Sequence, residues 1–142
     1  MKVLFLDFDG VLHPTAHGSV LFSQRTMLER VLENADCQIV ISSSWRFHVE
    51  LSQLREYFSN DLQVKVVGVT GNPYVGAYAR FHEINAYVSK NGITDWRALD
   101  DSYWEFPKGC PQLIRCNPNT GLSATEVKLV EQWLQSSSIN QS

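Results

Sequence analysis

The stretch that most constrains the fold lies near the N-terminus, where the apolar run Val3–Leu6 is followed by Asp7-Phe8-Asp9-Gly10. A short, wholly apolar run that stops at a turn signal is typical of a strand buried on both faces. Because side chains alternate along a strand, we expect Asp7 and Asp9 to leave it on the same side. Two neighbouring carboxylates repel each other, and proteins keep such pairs where a cation, a phosphate or a proton transfer requires them. A turn cap is the alternative, because Asp and Gly are also common turn residues.

The rest of the chain alternates between strands and helices. Further strands are predicted at 38–42, 64–69, 96–99 and 112–116, and helices from Ser23 to about Asn34, at 45–58, at 79–90 and after Ser123. This alternation predicts right-handed crossovers and a three-layer α/β fold, in which helices cover both faces of a five-stranded parallel sheet. We expect one domain at 1–135 and a polar, frayed tail at 136–142.

The composition of the chain excludes some classes of function. Hydrophobic residues make up 44% of the 142-residue chain and charged residues 19%, which is an ordinary balance for a globular domain. The net charge of −3 argues against a strongly basic nucleic-acid surface, although it leaves room for a local basic pocket. No apolar run approaches the roughly 20 residues that cross a bilayer. Cys37, Cys110 and Cys116 have no zinc-site spacing, so we expect free thiols in a reducing compartment, the cytoplasm.

Polar residues follow three of the predicted strands. They are Asp7 and Asp9, Ser42 and Ser43, and Asp100 and Asp101. Ligands of open parallel sheets bind outside the carboxyl ends of the strands, so these residues are expected to meet at one edge. Three or four carboxylates in one pocket call for a hard cation, and Mg²⁺ fits because it also keeps water and phosphate oxygens as ligands.

The predicted chemistry is phosphoryl transfer. An aspartate is a competent nucleophile toward phosphorus, and a second aspartate can protonate the leaving oxygen and then activate water. The hydroxyls after the second strand, together with the first N–H groups of the next helix, can hold phosphate oxygens.

A cation that faces the phosphate is expected at the start of a helix. Arg80 begins the third predicted helix and lies at the active-site edge, whereas Lys90 lies roughly 15 Å further along that helix. Arg46, just after the serines, is a second candidate for phosphate binding. Three histidines also fall near this edge, but none is assigned a catalytic role.

The motifs resemble those of the haloacid dehalogenase superfamily. The run from Phe5 to Val11 is similar to its first motif, 39–43 to its second and 98–101 to its acidic fourth motif. More narrowly, 43–46, 99–101 and 120–122 resemble small stand-alone domains related to those associated with RNA-repair proteins. The resemblance implies a Rossmann-like fold and Mg²⁺-dependent hydrolysis of phosphate esters through an aspartyl-phosphate.

The resemblance also implies a role for each motif residue. Asp7 is the nucleophile and a metal ligand, and Asp9 is the general acid and base, with its backbone carbonyl on the metal. Ser43 binds phosphate, and Ser42 is the fallback because the register is open. Asp101 is the expected direct metal ligand beside Asp100. The third motif is usually Lys, so the assignment of Arg80 to that role departs from the family pattern.

No stretch is long enough for a cap domain, since only 11–22 and 70–78 are available for insertion. The open site suits a large phosphorylated substrate such as a nucleic-acid end, and it suits a small phosphate ester if an oligomer covers it; the oligomeric state stays open. Aromatic residues near the predicted loops can stack on a base, namely Trp45, Tyr74, Tyr78 and Tyr103. Two alternatives remain: a metal-dependent nuclease, and a phosphate-binding module without turnover, which the Arg80 substitution motivates.

Overall fold

A five-stranded, all-parallel sheet forms the centre of the computed structural model, which describes residues 1–136. The strand order is β3-β2-β1-β4-β5. The strands are β1 (Lys2–Leu6), β2 (Cys37–Ile41), β3 (Val66–Val69), β4 (Asp95–Asp100) and β5 (Leu113–Arg115). The helices are α1 (Arg25–Leu32), α2 (Leu51–Arg55), α3 (Asn60–Gln63), α4 (Ala79–Asn91) and α5 (Ala124–Gln135), with 3₁₀ turns at Ser44–Phe47 and Tyr103–Glu105. The predicted α/β class and the five parallel strands are confirmed.

The alternating side chains of β1 build one core on each face of the sheet. Leu4 and Leu6 pack in a cluster that α1 and α5 complete, whereas Val3 and Phe5 pack in a second cluster that includes Ile84 of α4. All four β1 residues are buried, and each full burial of such a side chain stabilises the fold by about 1.5–3 kcal/mol. The sequence of β1 is apolar without interruption because both of its faces are covered.

The helix boundaries follow local capping. Ser123 caps α5 as predicted, and its backbone N–H donates to Glu126 Oε1 at 2.9 Å in a capping box. Gly92 ends α4 in the left-handed conformation, at φ 63°. Ser23 does not cap α1, because the turns around Phe22 (φ 61°) delay the helix until Arg25. Phe22 instead stacks on Tyr57, with ring centroids 4.7 Å apart.

The predicted helix at 45–58 was wrong. Only a 3₁₀ turn, Ser44–Phe47, and the short α2 form there, because the chain is extended at Glu50 (ψ 154°). The predicted strand at 64–69 begins two residues late, since the turn after α3 leaves Val64 exposed.

The two stretches that could have held an insertion carry none. Residues 11–22 and 70–78 contain no helix or strand, so residues 1–136 carry no cap domain. Cys37 and Cys116 are buried and Cys110 is partly exposed, and all three thiols are unpaired. In the described part of the chain no helix combines the length and apolar character needed to cross a membrane. Of the predicted tail at 136–142, residues 137–142 lie outside the described residues, and the domain limit at 135 stays a prediction.

Candidate active site

The register of the central strands brings the polar strand ends together. Leu6 pairs with Ile41 on one side and with Leu99 on the other, so β1, β2 and β4 end at the same level. The next residues continue this pattern: the N–H of Asp7 donates to Leu99 O at 3.1 Å, and that of Ser42 donates to Leu6 O at 3.0 Å. The predicted convergence at the carboxyl edge is therefore present in the fold.

Three buried carboxylates form an acidic cluster at this edge. Asp7, Asp100 and Asp101 each place an oxygen within 4.8 Å of the others. Burial raises the pKa of Asp7 well above its ordinary value, and the charge of Asp100 raises it further. Burial likewise raises the pKa of Asp100 to about 6, although Arg80 opposes this. Such a cluster can hold a divalent cation, which would offset the repulsion, and its all-oxygen donor set fits Mg²⁺.

Arg80 is the cation of this site. The first turn of α4 places its Nη1 2.6 Å from Asp100 Oδ2 and 3.4 Å from Asp7 Oδ1. The same guanidinium lies 3.9 Å from Glu83 and 4.0 Å from Glu105. Burial alone would lower the pKa of Arg80, but Asp100 and Asp7 outweigh it, so the pKa is raised and the side chain stays charged. The site thus combines an acidic cluster with one fixed positive charge.

Asp9 leaves the strand in a different direction from Asp7. β1 has already ended at Leu6, so the expected alternation does not extend to Asp9, whose side chain is 54% exposed. Its Oδ1 lies 2.8 Å from His13 Nε2, and Trp45 Nε1 donates to its Oδ2 at 3.1 Å. The carboxylate is held by both partners yet reaches solvent, which suits proton exchange with a bound molecule. The assignment of its backbone carbonyl to a metal stays a prediction.

His13 is a site residue that sequence reasoning left unassigned. It is buried, and its Nδ1 accepts a hydrogen bond from the N–H of Phe22 at 3.2 Å. That bond leaves the proton on Nε2, so the ring donates to Asp9. The sequence alone does not single it out, because it meets Asp9 only through the turn at Gly10, which brings the two residues together in an isolated bridge.

Hydroxyl groups are buried at the ends of β2 and β3. Ser42 Oγ and Thr70 Oγ1 have no hydrogen-bond partner in the described residues, whereas Ser43 Oγ accepts from the N–H of Trp45 at 3.2 Å. A buried polar atom without a partner is costly unless a ligand or water satisfies it. Whether Ser42 or Ser43 contacts phosphate stays a prediction.

All three guanidinium nitrogens of Arg46 donate hydrogen bonds to groups of the protein. Its Nη1 donates to Ser42 O at 2.8 Å and its Nε to Thr70 O at 3.0 Å, while Nη2 contacts Glu83 Oε1 at 3.0 Å. Burial lowers its pKa. These bonds tie the ends of β2 and β3 to α4, so the contacts favour a structural task, and the predicted phosphate contact remains untested.

Gly10 borders the acidic cluster closely. Its φ is +77°, and a Cβ at this position would lie 2.2 Å from Asp101 Oδ2. Both facts restrict the position to glycine, the first by backbone strain and the second by direct overlap. Because Gly10 has no side chain, the carboxylate of Asp101 can lie against it.

Two of the aromatic residues predicted to stack on a base are engaged within the protein. Trp45 packs in a cluster with Phe8 and Phe22, and Tyr74 stacks on His82 with ring centroids 4.3 Å apart. Tyr78 and Tyr103 remain 43% and 50% exposed.

Comparison with known families agrees with this geometry. The family model described as the HAD domain in Swiss Army Knife RNA repair proteins matches residues 3–127, which covers β1 through the first turn of α5. No match was found among curated proteins or among solved structures. The matched region contains every residue of the acidic cluster, Arg80, Asp9 and both serines. The chain therefore belongs to the family described as the haloacid dehalogenase (HAD) domain in Swiss Army Knife RNA repair proteins.

Proposed function

We propose that this chain is a Mg²⁺-dependent phosphatase that hydrolyses phosphate monoesters through an aspartyl-phosphate on Asp7. The observation that carries the proposal is the buried cluster of Asp7, Asp100 and Asp101 with Arg80 Nη1 3.4 Å from the Asp7 carboxylate. HAD domains generally use Mg²⁺, and the three clustered carboxylates, with the Asp9 carbonyl, would hold it. Bound Mg²⁺ supplies positive charge that offsets the repulsion between the phosphate and these carboxylates.

In the proposed reaction, Asp7 attacks phosphorus, so that an Asp7–phosphorus bond forms as the ester bond breaks. Asp9 gives its proton to the leaving oxygen. Asp9 then takes a proton from water, which attacks phosphorus and releases Asp7 and inorganic phosphate. Arg80 stabilises the negative charge on the phosphoryl oxygens, and Ser42 or Ser43 contributes a further donor. His13 and Trp45 orient Asp9 through their hydrogen bonds.

A nucleic-acid end is the substrate class that we favour. The family description names RNA repair proteins, and the carboxyl edge of the sheet carries no cap domain in the described residues. A terminal phosphate on a large molecule can reach such an edge, whereas a small ester would diffuse in and out of it without being enclosed. The three unpaired cysteines fit a reducing environment, so we propose that the enzyme acts in the cytoplasm.

The proposal is tested with an aryl phosphate and with oligonucleotides that carry a 3′- or a 5′-phosphate, in Mg²⁺ and in excess chelator. We expect inorganic phosphate to be released in Mg²⁺ and the release to cease with chelator. Intact oligonucleotide length after the reaction identifies monoester hydrolysis. Cleavage of internal phosphodiesters without release of terminal phosphate would favour a nuclease instead, and stabilisation by phosphate without turnover would favour a binding module.

Gly10→Ala is expected to weaken Mg²⁺ binding by about 10-fold or more, because the new Cβ displaces Asp101 from the acidic cluster. The backbone strain should also lower the free energy of unfolding by about 1–2 kcal/mol. Mg²⁺ affinity is measured by titration calorimetry and unfolding by urea.

Gly18→Ala is the matched control for that variant. Gly18 has a similar φ of +82°, but a Cβ there meets nothing within 4 Å. Gly18→Ala introduces similar backbone strain but no overlap with another residue, so the Mg²⁺ affinity of this variant should equal that of the unaltered protein. Equal Mg²⁺ affinities in both variants would show that Asp101 is not a ligand.

A further inference from the structure

A groove with a volume of about 540 Å³ lies along the connection between β4 and β5. Its lining includes Tyr78, Tyr103, Trp104, Lys108, Cys110 and Arg115, together with apolar residues. We call it the aromatic groove. Its size falls in the range of small-molecule sites, which is about 300–1,000 Å³.

The aromatic groove is joined to the active site at three points. Arg115 of β5 is the register partner of Asp100, and neighbouring strands lie about 4.8 Å apart. The N–H of Tyr103 donates to Asp101 O at 3.0 Å. Tyr78 immediately precedes α4, two residues before Arg80. The groove and the acidic cluster are therefore formed by residues that are neighbours in the sheet or in the chain.

The aromatic rings of the groove are open to solvent. Trp104 is 61% exposed and Tyr103 is 50% exposed, so neither ring is held chiefly by burial in the core. The two rings meet edge to face, with centroids 5.5 Å apart. The Arg115 guanidinium lies 3.7 Å from the centroid of Tyr103 and holds that ring in place. Exposed rings of this kind offer their open faces as a stacking surface for planar ligands.

The charges of the groove are opposite to those of the whole chain. The chain carries a net charge of −3, yet the two charged residues that line the groove are Lys108 and Arg115. The nearby Glu105 faces Arg80 at 4.0 Å. Exposed rings next to cations match the alternation of base and phosphate in a nucleic-acid strand. An acidic peptide would use the cations but would leave the rings without a planar partner.

We propose that the aromatic groove binds the terminal nucleotide of a nucleic-acid strand, with its base on Trp104 and Tyr103 and the adjoining phosphodiester near Lys108 and Arg115. This proposal rests on the proposed phosphatase function, because it assumes that the terminal phosphate occupies the site at Asp7. The groove then selects the substrate, while the acidic cluster and Arg80 act on its phosphate.

The test compares an oligonucleotide ending in a phosphorylated nucleotide with the same strand ending in a phosphorylated abasic sugar. Binding is measured by fluorescence anisotropy without Mg²⁺, and kcat/KM is measured with it. We expect the unaltered protein to prefer the base-containing end by about 5- to 150-fold, the range that stacking on one base provides. Trp104→Ala should abolish this preference, so that kcat/KM for the base-containing end falls to the value for the abasic end.

Lys108→Gln tests the charge separately. A plot of log affinity against log salt concentration has a negative slope. The variant should reduce the magnitude of that slope by about 1, because one contact to phosphate is lost. Leu129→Ala and Lys128→Gln on the exposed surface of α5 are the matched controls, and neither should change base preference or salt dependence.

The outcomes separate the two proposals. If no phosphate ester is hydrolysed in Mg²⁺, the phosphatase function fails, whereas the anisotropy measurement still reports on the groove. If the sugar phosphate is hydrolysed but base-containing and abasic ends bind equally, the groove proposal is overturned. Tighter binding of a phosphopeptide that is insensitive to Trp104→Ala would overturn it as well.

Discussion

Asp7→Asn is expected to lower kcat for an aryl phosphate by about 10⁴-fold or more, because the amide cannot attack phosphorus. The fold should survive. Burial and the neighbouring Asp100 already raise the pKa of Asp7, so a neutral side chain of the same shape relieves repulsion in the acidic cluster. We therefore expect a melting temperature in chelator at or above that of the unaltered protein. Steady-state kinetics and thermal unfolding, measured on the same preparation, check both expectations.

Asp36→Asn is the control for the loss of one carboxylate. Asp36 is exposed in the turn before β2, away from the carboxyl edge, so kinetics and stability should both be unchanged. Turnover by Asp7→Asn equal to that of the unaltered protein would eliminate Asp7 as the nucleophile. A variant that is inactive and also unfolded would contradict the expectation that relief of repulsion stabilises the site.

Arg80→Ala is expected to lower the free energy of unfolding in chelator by about 3–5 kcal/mol, the usual cost of removing one partner of a buried ion pair. The variant leaves Asp7 and Asp100 buried without the cation that now lies 3.4 Å and 2.6 Å from them. Mg²⁺ should restore part of this stability, because a bound cation replaces some of the missing charge. Urea unfolding with and without Mg²⁺ measures both effects.

Arg80→Lys separates charge from shape at the same position. A lysine keeps the positive charge, but its single ammonium cannot reproduce the three guanidinium nitrogens that face Asp100, Glu83 and Glu105. We expect this variant to be intermediate in stability and to retain more turnover than Arg80→Ala. Arg30→Ala, at an exposed position of α1, is the control. If Arg80→Ala and Arg30→Ala had the same free energy of unfolding, the buried ion pairs of Arg80 would contribute nothing to stability.

The sheet could be predicted from the sequence because its signal is local. Each strand reads as an apolar run, and the alternation of strands with helices restricts the topology to parallel crossovers. The segment after β2 could not be predicted in the same way. Its helical spacing is real, but Arg46 donates hydrogen bonds to the nearby carbonyl of Ser42 and to the carbonyl of Thr70, which lies 24 residues away. Such tertiary bonds override local helix propensity.

The sequence could predict which residues meet at the candidate site, but it could not predict how the side chain of Asp9 is placed there. The meeting of Asp7, Asp100 and Arg80 follows from strand order and helix polarity. The divergence of Asp9 from Asp7 does not, because it depends on β1 ending at Leu6 and on His13 being buried behind the turn. A lone histidine four residues after an aspartate is no signal unless the turn between them is known.

The three thiols differ in burial, and we expect them to differ in reactivity for that reason. Burial raises the pKa of Cys37 to about 12 and raises the pKa of Cys116 as well, so neither forms the thiolate that alkylating reagents need. Cys110, in contrast, is partly exposed on the wall of the aromatic groove. A maleimide fluorophore should therefore attach at one native position and need no engineered cysteine. The natural chain thus carries its own attachment point for an optical reporter, at the place where a bound strand would change its emission.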